Sequence, residues 1–358
     1  MISGSFEMSL IQLVSRIHFA DRVLEDALPD AIRRLKASRP LVLIDEDGRT
    51  GDRPDRLYDA LPVDCQPEPF PDLPAYPGKP LFKQAGRSLD AEGCDIIICL
   101  GGNAALDFGR LLAASQDDAR PPVIAVPTTA ASVGLGPVHI ADLGKSSRIE
   151  PPASVLCDPT LTLDTAPERT AAHGFDALTH CIEAFLATAY HPPADGIALE
   201  GIHRSTLYLE RAVANGNDLE ARRELLAVAL NAGLAAQKGL GGVEALARAT
   251  DAECGLASRH GALNAALLRP VLRFNAPAVG DRYARIAEAM KLSDGADVTG
   301  ALVDLGRRIG LPDRIGPIWT GANPLRQVAK RAAADPANQT NPRHATPDDY
   351  VSLLKDAM

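Results

Sequence analysis

Asp176 and His180 stand four residues apart in the segment GFDALTHCIEAF, whose apolar spacing predicts a helix. Side chains four apart lie on one face of a helix, so this carboxylate and this imidazole could hold one divalent cation together. For any such pair the plainer interpretation is an Asp–His hydrogen bond within the helix. His173, seven residues before His180, lies near the same face and is a second-rank candidate ligand.

Three more residues downstream are candidates for chemistry. His260 precedes a glycine at the predicted start of a helix, where a histidine also serves simply to initiate the helix. Glu244 and Arg248 are four apart, a spacing that is usually an ordinary surface ion pair. Asp251 adds a further carboxylate to the same segment.

A glycine pair in DIIICLGGNAALDFGRLLAA is placed to approach a phosphate. Gly101 and Gly102 follow a strand pattern and precede a helix pattern. Glycines there allow close backbone approach, and the helix that follows offers free N–H groups. A tight connection without a ligand explains the pair nearly as well. Asp45 ends another strand, where an acid can bind an adenosine ribose or simply occupy a turn.

The elements that must position these residues change in kind along the chain. Strand patterns occupy the first half of the chain. Helical spacing follows the strands, as at Ala104–Ser115, and the stretch Leu61–Pro80 is typical of a loop. The predicted strands are PLVLID (40–45), DIIICL (95–100), VIAV (123–126) and SVLCD (154–158). After about residue 165 only helical spacing remains. We therefore expect an α/β domain with a parallel sheet over 1–162 and an all-helical domain over 163–358.

Composition narrows the function classes. The chain has 358 residues and a formal net charge of -9 without a basic cluster, which argues against nucleic-acid binding. No apolar run approaches the roughly 20 residues that span a bilayer, so no membrane partner is expected. The N-terminus lacks a signal-peptide pattern, and the six cysteines form no C-x-x-C pair. A cytoplasmic protein with reduced thiols is the expectation.

Several segments, in order along the chain, resemble the iron-containing (group III) alcohol dehydrogenases. LGGNAALDFGRLLA is similar to that family's GGGS-x-x-D-x-A-K turn, and VPTTAASVG to its PTT segment. CDPTLTLDTAPERTAAHGFDALTHCIEAF resembles its DALTH block, RHGALNAALLRPVLRFN its HG-x-x-N segment, and DPANQTNPRHATPDDYVSLLKDAM its C-terminal tail. The resemblance covers essentially the whole chain.

The resemblance implies a dehydroquinate synthase-like fold, with an α/β dinucleotide-binding domain followed by a helical metal domain. It implies Fe²⁺ or Zn²⁺ as the metal and NAD as the cofactor. The implied metal ligands are Asp176, His180, Glu244 and His260. The implied cofactor-binding residues are Asp45, Gly101, Gly102, Asn103, Asp107, Thr128 and Thr129. With the resemblance in view, Asp45 is interpreted as the acid of an NAD-preferring member.

The chain departs from the family pattern at chemically important positions. Glu244 stands where the family has a ligand histidine, and Arg248 where it has a histidine near the nicotinamide and substrate. Glutamate is a competent oxygen ligand for Fe²⁺ or Zn²⁺. Arginine cannot relay a proton but can grip a carboxylate or phosphate. Asn103 and Ala104 replace the third glycine and the serine of the turn.

The working hypothesis is a metal-dependent, NAD(H)-linked oxidoreductase that interconverts an alcohol and an aldehyde or ketone, with a metal-bound alkoxide and hydride transfer to the nicotinamide. Arg248 would be the catalytic-site residue that grips an anionic group of the small-molecule substrate. Two alternatives stay open: a sugar-phosphate cyclase that retains its NAD, and a non-catalytic or weakly active paralogue. A homodimer is the expected assembly.

Overall fold

The computed structural model describes residues 15–75, 77–116, 120–131, 133–138, 149–255, 260–319 and 324–358. These residues divide into two compact units. An α/β unit contains the described residues up to Ala166 together with Gly216–Leu226, and a helical unit contains Pro167–Asn215 and Ala227–Met358. The division of the sequence at residue 162 into two functional domains stays a prediction.

A parallel sheet forms the centre of the α/β unit. Within the described residues it has six strands, in the spatial order β1-β6-β5-β4-β2-β3, and every neighbouring pair runs parallel. The strands are β1 (Arg16–Phe19), β2 (Pro40–Ile44), β3 (Glu68–Pro69), β4 (Ile96–Gly101), β5 (Val123–Pro127) and β6 (Ser154–Cys157). The expected fold class, a parallel α/β sheet followed by a helical region, is confirmed.

The central strands form because their residues are apolar, with Ser154 at the start of β6 as the polar exception. Every residue of β2, β4, β5 and β6 is buried, as expected for a sheet covered on both faces. The two edge strands were not predicted. β1 is short and carries Arg16 and His18, and β3 has two residues within the stretch expected to be loop, so neither shows a buried-strand pattern.

Helices connect the strands of the α/β unit. They are α1 (Val23–Leu35), α2 (Arg53–Asp59), α3 (Lys79–Ala91) and α4 (Asn103–Ala114). On α1, Leu24, Leu28 and Ile32 recur every four residues and enter one buried cluster with Val42 and Ile98 of the sheet. This packing fixes the ends of β2 and β4, where the candidate cofactor residues lie.

The later part of the chain is helical, as its spacing predicts. The helices are α5 (Pro167–Leu186), α6 (Pro192–Ala214), α7 (Leu219–Ala235), α8 (Gly242–Cys254), α9 (His260–Asn275), α10 (Arg282–Ala289), α11 (Val298–Arg308), α12 (Leu325–Ala334), α13 (Pro336–Thr340) and α14 (Pro347–Ala357). α5 packs against α6, α8 and α9. No helix of the described residues is long and apolar enough to cross a membrane.

Candidate functional site

Four side chains from three helices of the helical unit converge on one point. α5 supplies Asp176 and His180, α8 supplies Glu244, and α9 begins with His260. Each offers one ligand atom, and these atoms all lie within 4.8 Å of one another. Three of the four residues are buried and His260 is half-buried. We call this group the ligand cluster; His173, the second-rank candidate, is not a member of it.

Distances within the ligand cluster are those of groups that face a common centre. His180 Nε2 lies 3.0 Å from Glu244 Oε2 and 3.5 Å from Asp176 Oδ1. His260 Nε2 lies 3.2 Å from Glu244 Oε2 and 3.7 Å from Asp176 Oδ1. The plain helical Asp–His interpretation is therefore too narrow, because both imidazoles share both carboxylates.

The close approach of α9 to α5 depends on Gly261. A Cβ atom at this position would overlap the backbone carbonyl of Ala172 on α5. The missing side chain lets the two helices meet at the first turn of α9, which brings His260 within reach of the α5 ligands.

Two further polar residues orient ligands of the cluster. Asp251 Oδ2 lies 2.5 Å from His260 Nδ1, so a hydrogen on Nδ1 turns Nε2 towards the cluster. Asn264, fully buried on α9, donates from Nδ2 to Asp176 Oδ1 at 2.6 Å. The sequence alone indicated Asp251 only as a further carboxylate, and it did not indicate Asn264. Helical spacing could have found both, since Asp251 is seven residues after Glu244 and Asn264 four after His260.

The backbone that carries Glu244 is fixed by another buried acid. Glu183 on α5 accepts hydrogen bonds from the backbone N–H groups of Gly241, Val243 and Glu244, at the N-terminus of α8. Burial raises the pKa of Glu183 to about 7, against the lowering effect of these N–H donors. Glu183 was also missed, although it lies seven residues after Asp176 on the same helix face.

Arg248 lies beside Glu244 inside the helical unit. Its Nε is 2.6 Å from Glu244 Oε1, and its Nη1 is 3.6 Å from Asp335 Oδ1. The Glu244 side chain is 0% exposed and that of Arg248 is 16% exposed. The interpretation of this pair as an ordinary surface ion pair is wrong, because both side chains are packed within the protein.

The electrostatics of the ligand cluster favour positive charge at its centre. Burial alone would lower the pKa of His180, but Asp176 and Glu244 raise it above its usual value. For His260, burial is likewise opposed by Asp251 and Glu244, which raise its pKa well above the usual value. Two carboxylates and two imidazoles are a suitable donor set for Fe²⁺ or Zn²⁺. The residues present therefore fit a divalent cation.

The glycine turn, Gly101–Gly102, lies in the α/β unit between β4 and α4. Asp45, at the end of the adjacent strand β2, holds this turn. Its Oδ2 accepts the N–H groups of Gly102 and Ala105 at 2.9 and 3.0 Å. Its Oδ1 accepts the N–H groups of Asp47 and Gly48, both at 3.0 Å. A Cβ at Gly101, whose φ is 150°, would overlap the Asp45 carboxylate, so glycine is required there.

Asp45 is thus engaged before any ligand binds. It is 3% exposed, and four backbone donors use the acceptor capacity of its two oxygens. Burial and the charge of Asp47 raise its pKa to about 6, against the lowering effect of the N–H donors. A ribose hydrogen bond would have to compete with these contacts, whereas the repulsion of a 2′-phosphate by the ionised carboxylate would not.

Polar atoms around the glycine turn remain available to a ligand. Thr128 and Thr129 follow β5 and are buried, and Thr129 faces Gly102. Their hydroxyl oxygens, and Asn103 Oδ1 at the start of α4, have no hydrogen-bond partner among the described residues. Buried polar atoms are rarely left unsatisfied, so this group fits a polar ligand such as the phosphates and ribose of a dinucleotide.

Asp107 lies one turn further into α4. It is buried, and its Oδ1 is 3.6 Å from Nη1 of Arg110, which donates to the carbonyl of Gly136 at 2.8 Å. This side chain therefore has an internal ionic partner, and its expected part in cofactor binding stays a prediction.

Comparison with known proteins identifies the family. The model for the C-terminal region of the Fe-containing alcohol dehydrogenase family matches residues 170–358, and the iron-containing alcohol dehydrogenase model matches residues 15–134. The chain belongs to the iron-containing alcohol dehydrogenase family. It is therefore an oxidoreductase by family, and the resemblance inferred from its motifs is confirmed.

Individual relatives and solved structures are consistent with this family assignment. It is 34% identical to a 4-hydroxybutyrate dehydrogenase of Cupriavidus necator, over 98% of this chain and 100% of the relative. The crystal structure of a 1,3-propanediol oxidoreductase matches it with a TM-score of 0.88 at 24% identity, over 98% and 100% of the two chains. The structure of sulfoacetaldehyde reductase from Bifidobacterium kashiwanohense in complex with NAD⁺ matches with a TM-score of 0.84 at 21% identity, over 98% and 99%.

Proposed function

We propose that this chain is a metal-dependent, NAD(H)-linked dehydrogenase that interconverts a small alcohol and its aldehyde or ketone. The observation that carries the proposal is the ligand cluster, in which two carboxylates and two imidazoles from three helices place one atom each within 4.8 Å of one another. Two buried carboxylates in one place need a compensating positive charge, which a divalent cation bound to all four side chains would supply.

The roles of the chain's own residues follow from their contacts. Asp176, His180, Glu244 and His260 would hold Fe²⁺ or Zn²⁺, and the donor set suits both ions. Such a cation polarises a hydroxyl or carbonyl oxygen and so stabilises the negative charge that hydride transfer creates. Asp251 holds His260 in the required tautomer, and Asn264 holds Asp176.

The glycine turn supports the cofactor assignment. Gly101, Gly102, Asn103, Thr128 and Thr129 offer a close backbone approach and buried polar atoms without partners, which would receive the pyrophosphate. The ionised Asp45 would disfavour the 2′-phosphate of NADP, so NAD is the proposed cofactor. The fold is shared with a reductase solved in complex with NAD⁺, which adds support. In the oxidative direction, the alcohol gives a hydride to NAD⁺ and a proton to solvent.

A small hydroxy acid is the proposed substrate class. The relative that covers this chain end to end is named for 4-hydroxybutyrate, which carries a carboxylate beyond its alcohol. The sequence-based hypothesis of an anionic substrate held by Arg248 agrees with this class. The contacts of Arg248 with Glu244 and Asp335 give that side chain a second role, beside the ligand cluster.

The test begins with binding and then turns to catalysis. Metal content measured by mass spectrometry should give about one Fe or Zn per chain, and titration should show tighter binding of NAD⁺ than of NADP⁺. Oxidation of 4-hydroxybutyrate should then exceed that of 1-butanol in kcat/KM by at least tenfold, because 1-butanol has the same carbon chain without the carboxylate. Equal rates for the two would remove the hydroxy-acid assignment and leave the dehydrogenase assignment standing.

The same experiment addresses the two alternatives. A cyclase regenerates its NAD, so turnover without net NADH formation would favour that reaction. Failure to bind either metal or nucleotide would favour a non-catalytic paralogue. The expected homodimer and cytoplasmic location stay predictions; sedimentation of the purified protein would measure the former.

A further inference from the structure

The two carboxylate oxygens of Glu244 have different partners. Oε1 lies 2.6 Å from Arg248 Nε. Oε2 lies 3.0 Å from His180 Nε2 and 3.2 Å from His260 Nε2. One oxygen is thus turned to a guanidinium and the other to the centre of the ligand cluster.

Arg248 is held in this position from both sides. It is four residues after Glu244 on α8, so the two side chains leave the same helix face one turn apart. Asp335, next to the start of α13, lies 3.6 Å from its Nη1. The Glu183 carboxylate holds the first turn of α8 through three backbone N–H groups, one of which is that of Glu244 itself.

The charges explain why the pair is needed. Glu244 is completely buried, and it shares the Nε2 atoms of both imidazoles with the second acid of the cluster, Asp176. A buried carboxylate without a counter-charge is costly, and two of them repel each other. Arg248 supplies the counter-charge at Oε1, and leaves Oε2 to the imidazoles of the cluster.

We propose that Arg248 is a positioning residue of the metal centre, which restricts Glu244 to a single ligand oxygen and offsets its charge. The inference rests on the proposed metal site. The family resemblance aligns both positions with histidines, and a Glu–Arg pair carries the same net charge as two neutral imidazoles. The two departures therefore form one coupled exchange, in which each residue compensates for the charge that the other introduces.

The first test measures Zn²⁺ affinity by titration of the metal-stripped protein. Loss of a partner that orients a metal ligand typically weakens affinity by about 10- to 100-fold, and we expect this for Arg248→Gln. Arg248→Lys retains the charge and should recover part of the loss. Arg204→Gln is the matched control, since Arg204 pairs with Glu200 at the same spacing and at 2.7 Å, but on the surface of α6.

A double-mutant cycle tests the coupling itself. Glu244→His alone leaves the Arg248 cation beside the metal, and Arg248→His alone leaves the Glu244 charge uncompensated, so each should weaken Zn²⁺ binding by at least tenfold. The double variant Glu244→His/Arg248→His should bind Zn²⁺ at least tenfold more tightly than additive effects predict. The thermal unfolding midpoint of each metal-free variant reports general misfolding separately.

The outcomes separate this inference from the proposed function. No Zn²⁺ binding by the unsubstituted protein would overturn both. Normal binding that Arg248→Gln leaves within twofold, or additive effects in the cycle, would overturn the inference alone. An Arg248→Gln variant that keeps its Zn²⁺ affinity but shows a higher KM for 4-hydroxybutyrate would assign Arg248 to the substrate instead.

Discussion

In the helical unit, the side chains of the ligand cluster already contact one another. In the α/β unit, by contrast, several polar atoms around the glycine turn have no hydrogen-bond partner among the described residues. The cluster holds Asp176 and Glu244 against two imidazoles whose pKa values are raised. Around the turn, the oxygens of Asn103, Thr128 and Thr129 have no partner among the described residues. The first region fits the proposed cation, and the second fits the proposed dinucleotide.

The difference shows how each region tolerates substitution. The ligand cluster exchanges a histidine of the family pattern for Glu244 and adds the counter-charge of Arg248 next to it. The glycine turn lacks the third glycine of that pattern but keeps Gly101, the position where a side chain would overlap Asp45. A ligand side chain can be replaced by another side chain that offers a suitable ligand atom. At Gly101 no other residue fits, because its Cβ would overlap the Asp45 carboxylate.

The largest effect is expected for a substitution in the ligand cluster, which should weaken metal binding without changing cofactor binding. His180→Ala removes an imidazole that lies 3.0 Å from Glu244 Oε2, and we expect Zn²⁺ affinity to fall by more than about a hundredfold, beyond the loss of an outer partner. NAD⁺ affinity, measured by titration, should stay within twofold. His344→Ala changes an exposed histidine and is the control. Loss of NAD⁺ binding together with the metal would show that the regions are not independent.

A smaller effect is expected at Asp45, as a dependence of stability on pH. Because the pKa of Asp45 is raised to about 6, the folded protein holds this proton more tightly than the unfolded chain does. The resulting stabilisation is complete below about pH 4 and is lost as the pH rises through 6. Asn does not titrate, so the difference in unfolding free energy between the protein and Asp45→Asn should change by about 2–3 kcal/mol between pH 4 and 7.

Urea unfolding of both proteins at several pH values measures this change. Glu46→Gln, which alters an exposed acid one residue away, is the matched control. A constant difference between the protein and Asp45→Asn would mean that the four backbone donors, rather than burial, determine the charge state of Asp45.

The smallest effect concerns a single hydroxyl of the glycine turn. If Thr129 Oγ1 binds the cofactor, Thr129→Val should lower NAD⁺ affinity about fivefold, the value of roughly 1 kcal/mol for one hydrogen bond. Zn²⁺ affinity should not change. Thr206→Val removes a hydroxyl that donates to the Ile202 carbonyl on α6, and serves as the control. Unchanged NAD⁺ affinity would show that this unsatisfied atom is not part of a cofactor site.

The sequence predicted elements and residues whose signal is local. The buried strands β2, β4, β5 and β6 follow from uninterrupted apolar runs, and the pairing of Asp176 with His180 follows from helical spacing. β1 and β3 were missed because short edge strands carry no such run. The burial of Glu244 and Arg248 could not be predicted, since a spacing of four is the same for a surface pair and an internal one.

Long-range contacts account for the other differences. The four hydrogen bonds of Asp45 depend on the parallel register of β2 and β4, in which Ile44 lies opposite Leu100. No pattern within either segment contains that register. The orienting roles of Asp251, Asn264 and Glu183 depend in the same way on how α5, α8 and α9 pack. Each of these residues nevertheless lies at a helical spacing from a proposed metal ligand, and that spacing could have identified it as a candidate.

Gly261 has a consequence for how this centre can change over evolutionary time. Imidazole and carboxylate both reach the middle of the ligand cluster, so position 244 can pass from one donor to the other when position 248 changes with it. Position 261 has no comparable alternative, because any side chain would meet the Ala172 carbonyl and push the first turn of α9 away from α5. As descendants of this chain diverge, Gly261 should therefore stay unchanged for longer than some of the proposed metal ligands.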